Sequence, residues 1–246
     1  MKPSQATRQR ERLAQLTLLS TFEKPLEKKV ARIIAKQGAS AAAYYRDHRK
    51  VTYQTLAAHK MDFQKVLIPF YTRVITAFAA RIRRSVKSTD TFTDVMKQWL
   101  IKRALETVED IDETTLDIIK TAISHGVEQG WTTEKIAQSI SDATLYEVNQ
   151  PRARVIARTE MHTAAQEGQL QAAKATGIQG LQKTWTASGD NRTRDDHAEA
   201  DGQTVDIDDD FIVGGESMSR PGDGSAEESI NCRCVCVFSR GNRDDT

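Results

Sequence analysis

Between Gly177 and Gly180 the spacing of apolar residues changes, and this change constrains the fold more than any other feature of the chain. Upstream, apolar residues recur at i, i+3, i+4 and i+7, the period of a helix with one buried face. Downstream, Leu181-Gln182-Lys183-Thr184-Trp185-Thr186 alternates with a period of two, as a half-buried strand does. The expected class is α+β: a mainly helical N-terminal part followed by a small α+β module with a short antiparallel sheet. The expected division is a basic helical region over 1–148 and a C-terminal module over 149–246.

Upstream, the pattern predicts a helix over Gln5–Leu19 and a second from a Thr21 cap to about His48. Pro25 falls in the first turn of the second, where a missing N–H is harmless. Gly38 marks a point of weakness inside it. Phe63, Val66, Leu67, Phe70, Val74, Ile75, Phe78 and Ile82 form a helical stripe over 53–87 that Pro69 should kink. A bundle core suits this stripe; a docked protein partner would use Phe63, Phe70, Val74 and Phe78. Ser88 to Thr91 reads as a loop. Helices then follow at about 93–108, 112–128 and 135–141, and a further one, capped at Asn149, runs to about Ala175.

Downstream, Val205–Ile207, Phe211–Val213 and Ile230–Phe238 are the remaining strand candidates. The stretch 214–229, punctuated by Gly214, Gly215, Pro221, Gly222 and Gly224, reads as a surface loop. Cys232, Cys234 and Cys236 alternate, so on a strand they share one face. His197 with Cys232 and Cys234 is the candidate metal set, with Asp190 or Asp195 in reserve. Zinc takes about four N or S ligands, and C-x-C is not its usual C-x₂₋₄-C spacing. The expected cofactor is therefore none, with zinc as the candidate to be tested. The opposing view makes each cysteine a compact core hydrophobe. A hydrolase would need a metal-bound water or an aligned nucleophile and base, and no such constellation is complete here. The acidic run Asp206–Asp210 lacks the spaced calcium-loop pattern, and the glycines of 214–224 match no phosphate loop.

Four marks in order carry a resemblance: Ala157-Arg158-Thr159-Glu160 with Gly168; Trp185 with Asp190-Asn191-Arg192-Thr193-Arg194 and His197; Asp201-Gly202; and Asn231-Cys232-Arg233-Cys234. Over about residues 150–238 the chain resembles the C-terminal domain of the Mu-F-like minor head proteins of tailed phages. It departs from relatives that carry a Cys pair where this chain has Arg192 to Asp196. The resemblance implies a non-enzymatic structural protein of the procapsid and virion interior near the portal vertex, made in the host cytoplasm. It implies the portal and the major capsid or scaffold protein as partners, and a part in head assembly, DNA packaging, retention or ejection. The motif residues are then expected to form a structural clasp: Arg158, Glu160, Trp185, Asp190, Arg192, His197, Asp201, Gly202, Asn231 and Arg233. The rival functions are a metal-dependent hydrolase or nuclease using His197, Cys232 and Cys234, and a DNA-binding protein using the basic half.

Charge bears on the partners. Residues 1–90 hold 19 Lys/Arg against 6 Asp/Glu, a net of +13; the remainder holds 16 against 28, a net of −12. Such asymmetry suits different partners for the two halves. Arg73, Arg81, Arg83, Arg84 and Lys87 form the candidate surface for an acidic protein or for packaged double-stranded DNA. No run of about 18 apolar residues is present, so no membrane span is expected. The first residues lack the apolar core of a signal peptide. Three cysteines crowded between 232 and 236 suit a reducing compartment better than a disulfide framework.

Overall fold

The computed structural model describes residues 2–82 and 90–241, without the side chains of 90–93. Arg83, Arg84 and Lys87 of the basic candidate surface, and Ser88 and Thr89 of the expected loop, lie outside the described residues; Asp90 and Thr91 of that loop instead open a helix. The helices are α1 (Gln5–His48), α2 (Tyr53–Ala57), α3 (Lys60–Ile82), α4 (Asp90–Glu128), α5 (Thr133–Ala143), α6 (Tyr146–Lys174), α7 (Asp195–Glu199) and α8 (Ala226–Ser229). The strands are β1 (Leu181–Thr186), β2 (Thr204–Asp206), β3 (Phe211–Val213), β4 (Glu216–Met218) and β5 (Val235–Arg240). The chain is α+β, helical before Gly177 and carrying all its described strands after it.

Several helix boundaries differ from those expected. The two helices expected before His48 are one, α1, with Pro25 inside it. Gly38 does not break α1; a Cβ there would lie 1.6 Å from Thr144 Oγ1, so the glycine admits a neighbour. The helices expected at 93–108 and 112–128 are likewise one, α4. Asn149 lies inside α6, its side chain donating to Leu145 O at 3.1 Å, rather than capping the helix. In each case a local stop signal was outweighed by packing along the whole element.

The chain forms two compact units that interleave in sequence. One comprises Lys24–Phe70 and Gln98–Ala157. Its core gathers Ala41, Ala42, Tyr45, Leu56, Ile119, Ile136, Ala137 and Ile140. Gln37 donates to the buried Asp112 at 2.6 Å, and Arg152 donates to Ile111 O at 2.9 Å and Thr115 Oγ1 at 3.0 Å.

The other unit comprises Met1–Glu23, Tyr71–Lys97 and Arg158–Thr246. Its sheet has the order β2-β1-β5, antiparallel throughout, with Trp185 opposite Cys236 and Lys183 opposite Val205 and Phe238. β3, where a strand was expected, forms a separate hairpin with β4, which lies inside the stretch expected to be a loop. A Gly214-Gly215 turn, both with positive φ, closes the hairpin. The last strand begins at Val235, not Ile230, so only Cys236 is a strand residue.

Helix α6 is the spine of this unit. Every residue from Thr159 to Leu170 is buried, although many are polar. A buried polar group costs free energy unless it is hydrogen-bonded, and most of these side chains are. Thr159 Oγ1 accepts from Asn231 N at 3.1 Å. Gln166 accepts from Cys236 N at 3.0 Å and donates to Gln15 at 3.0 Å. Gln169 also donates to Gln15 at 2.8 Å, while Gln15 donates to Cys236 O at 3.2 Å. Glu167 accepts from the buried Arg220 at 2.5 Å. Gly168 lets α3 approach: a Cβ there would lie 3.0 Å from Ile75 Cα.

The stripe on α3 is spent inside the molecule. Phe63, Leu67, Val74 and Phe78 are fully buried, and Phe70 and Ile75 nearly so. The expectation that a docked partner would cover Phe63, Phe70, Val74 and Phe78 is therefore corrected.

Candidate metal centre and its clasp

Two separate pieces of backbone bring one histidine and two cysteines together. His197 sits on the single turn α7, with Arg194 at its N-cap position. Cys232 and Cys234 follow Asn231, whose φ of 59° turns the chain out of α8. Asparagine tolerates this left-handed conformation because its short polar side chain bonds locally. Here Asn231 Oδ1 accepts from Arg158 at 3.2 Å.

His197 Nδ1 lies 3.3 Å from Cys234 Sγ and 3.7 Å from Cys232 Sγ. All three ligand atoms fall within 4.8 Å of one another, and all three residues are buried. On the far side of the ring, Nε2 lies 2.6 Å from Glu228 Oε2. The Trp185 ring packs edge-on against the imidazole at 5.5 Å and against Phe211 at 5.4 Å. Cys236 belongs to the apolar core beneath, with Trp185, Phe211, Val213 and Met218.

The thiols differ in their proton affinity. A hydrogen bond from Cys234, with help from His197, holds Cys232 well below the usual thiol range against the opposing effect of burial. The same bond, together with burial, pushes Cys234 well above that range. Burial raises Cys236 to about 12. For His197, burial disfavours the charged ring, but hydrogen bonds and charge from Cys232 and Glu228 outweigh it and raise the pKa.

The trio forms one wall of a cavity of about 340 Å³ whose rim carries Arg158, Arg192, Arg194 and Arg233 with Asp190. Asp190 shapes this rim: its carboxylate accepts from Arg192 N at 3.1 Å and from the Arg192 guanidinium at 3.4 Å. Arg194 donates to Ile230 O at 2.7 Å. Desolvation, and the crowding of Arg158 and Arg192, lower the pKa of Arg233.

The remaining motif residues hold the module together elsewhere. Asp201 accepts from Ala187 N at 2.9 Å and takes both arms of Arg8, at 3.3 and 3.2 Å. Gly202 has φ of 83°, and a Cβ there would lie 3.2 Å from Arg8. Glu160 accepts from Tyr71 Oη at 2.7 Å. Of the basic candidates, Arg73 is exposed on α3, and Arg81 is half-buried and pairs with Glu11 at 2.5 Å.

The sequence pattern did not single out Glu228, Arg8 or Gln15. Glu228 looked like one acidic residue of a loop. Arg8 and Gln15 looked like ordinary polar positions of a basic helix, although they sit 193 and 221 residues from their partners Asp201 and Cys236. His162, on α6, also touches the site: its Nε2 donates to Cys234 O at 2.7 Å.

The family model described as Phage Mu protein F like protein matches residues 117–237. Among curated proteins the chain is 35% identical over 131 residues to the NAD(+)–arginine ADP-ribosyltransferase EFV of Enterococcus faecalis, covering 51% of this chain and 26% of that protein. It is 30% identical over 123 residues to the minor head protein GP7 of Bacillus phage SPP1, covering 49% of this chain and 39% of that protein. It is 24% identical over 184 residues to the uncharacterized protein YqbB of Bacillus subtilis, covering 71% of this chain and 59% of that protein. The chain thus spans less than two thirds of each of these relatives. No solved structure matches it significantly. Residues 117–237, just under half of the chain, thus carry the region described as Phage Mu protein F like protein, and the chain is similar to a phage minor head protein.

Proposed function

We propose that this chain is a minor head protein of a tailed phage: a non-enzymatic structural component of the procapsid and virion interior near the portal vertex. In this role it contacts the portal and the major capsid or scaffold protein, and it assists head assembly and the packaging, retention or ejection of DNA. The observation that carries this reading is the shared region with the SPP1 minor head protein. The geometry supports it, because Arg158, Asp201, Gly202 and Asn231 are engaged in holding strands and turns to helices. That is the work of a rigid assembly module.

Protein docking is the main contact in this proposal and DNA the secondary one. The basic residues are spread over several helices with no recognised DNA-reading motif among them. Contacts to phosphate weaken steeply with salt, whereas a protein interface with an apolar centre loses less. The test is a pull-down of the purified chain with its portal and, separately, with double-stranded DNA across a salt series. Portal binding retained at high salt is the expected result. Binding to DNA alone, abolished by charge reversal of Arg81, Arg83 and Arg84, would overturn it.

The name of the Enterococcus relative favours a second, enzymatic reading. The chain matches 26% of that protein, so its transferase activity is not carried over to this proposal. Incubation with labelled NAD(+) and an arginine-rich acceptor decides the matter. Label transferred above a heat-killed control would make the chain an enzyme.

A further inference from the structure

We propose that His197 Nδ1, Cys232 Sγ and Cys234 Sγ bind one zinc ion, whose fourth ligand is a solvent molecule reached through the arginine-rimmed cavity. Three observations carry this.

The first is distance. Zinc bonds of about 2.0–2.1 Å to nitrogen and 2.3 Å to sulfur, opened at the tetrahedral angle, place N and S about 3.6 Å apart. The observed separations, 3.3 and 3.7 Å, bracket that value.

The second is valence. An imidazole nitrogen has either one lone pair or one hydrogen. Two sulfurs nevertheless converge on Nδ1, which serves a shared ion better than it serves two hydrogen bonds. The other nitrogen faces Glu228 Oε2 at 2.6 Å. A carboxylate behind a ligating histidine fixes the tautomer and aims the free lone pair at the metal.

The third is charge. Glu228, Cys232 and Cys234 are all buried, with exposures of 8%, 2% and 2%. A buried carboxylate beside two potential thiolates calls for a cation. Zinc, which prefers thiolate and imidazole, suits this donor set better than magnesium or calcium, which prefer oxygen. Binding displaces the thiol protons to solvent and leaves both sulfurs as thiolates. The trio lines the cavity, so the fourth position opens towards it.

The test uses the full chain, freed of metal under reducing conditions and then titrated with cobalt(II) and zinc. Expected are one zinc per chain by elemental analysis and a thiolate-to-cobalt charge-transfer band that zinc removes. Cys236→Ser should keep the band, and Cys232→Ser with Cys234→Ser should abolish it. Glu228→Gln should weaken zinc affinity about 10- to 100-fold, the range for loss of such a supporting carboxylate. The wild-type titration does not depend on any variant folding. Folded wild-type chain that takes up no stoichiometric zinc and shows no band would overturn the proposal. So would a band lost equally on Cys236→Ser in a chain that remains folded.

Discussion

Asn231 occupies a left-handed backbone position where a side chain other than Asn or Gly is strained. The cost of that conformation for an ordinary L-residue is about 1–2 kcal/mol. Asn231→Ala should therefore destabilise the chain by about that amount in urea titration, and Asn231→Gly by clearly less. Equal losses would show that the Arg158 bond, not the backbone, is what Asn231 contributes. Asp112 gives a pH-dependent counterpart. Burial raises its pKa, against the hydrogen bond from Gln37. Its second oxygen has no hydrogen-bond partner. A folded pKa above the unfolded one means that its stabilisation is complete below the unfolded carboxyl value and is lost as pH rises through the folded value. Asp112→Asn should thus unfold at a higher temperature than wild type near neutrality, with the gap closing in acid. A gap independent of pH would refute this account.

At the scale of elements, what was legible followed from period, and what was not followed from partners. The helical stripe of α3 and the alternation of β1 were visible because each burial pattern repeats along a single segment. α6 was visible at its C-terminal end, where Gly177 has φ of 64°, but neither in its start, at Tyr146 rather than after an Asn149 cap, nor in its role. Its twelve consecutive buried residues include Thr159, His162, Gln166 and Gln169, a composition that reads as solvent-facing until Gln15, Asn231 and Cys236 are seen around it. The site divides in the same way. His197, Cys232 and Cys234 stood out by residue type, whereas Glu228 acquires meaning only from its 2.6 Å contact with His197. Gly168 tests the packing of α6. In an exposed helix Gly→Ala would gain about 1 kcal/mol. Here the new methyl meets the Ile75 backbone, which cannot rotate away. Gly168→Ala should therefore cost about 1–3 kcal/mol, as overpacking does. A rise in thermal midpoint would mean that α3 shifts freely.

At the scale of the molecule, the unit that holds the candidate metal centre is assembled from three stretches of chain. The first of them, Met1–Glu23, supplies groups that the C-terminal residues cannot replace. Arg8 reaches Asp201 with two bonds and Trp185 O with a third, at 3.4 Å. Gln15, fully buried, is bonded to Gln166, Gln169 and Cys236. Removing these residues leaves a carboxylate, two carbonyls and two amide side chains without the partners they were folded against, and an unmet buried polar group costs about 1–3 kcal/mol. Several such losses together approach the whole stability of a typical domain, about 5–15 kcal/mol. The segment 149–246 made alone should therefore show no cooperative urea transition. The full chain carrying Arg8→Ala should unfold cooperatively with a loss of about 1.5–3 kcal/mol, the range for hydrogen bonds to a charged group. Adding a synthetic peptide of residues 2–23 to the isolated segment should restore part of the transition in proportion to peptide concentration, because a ligand of the folded form alone stabilises it by mass action. A cooperative transition of the segment by itself, unchanged by the peptide, would show that the C-terminal residues fold without the N-terminal helix.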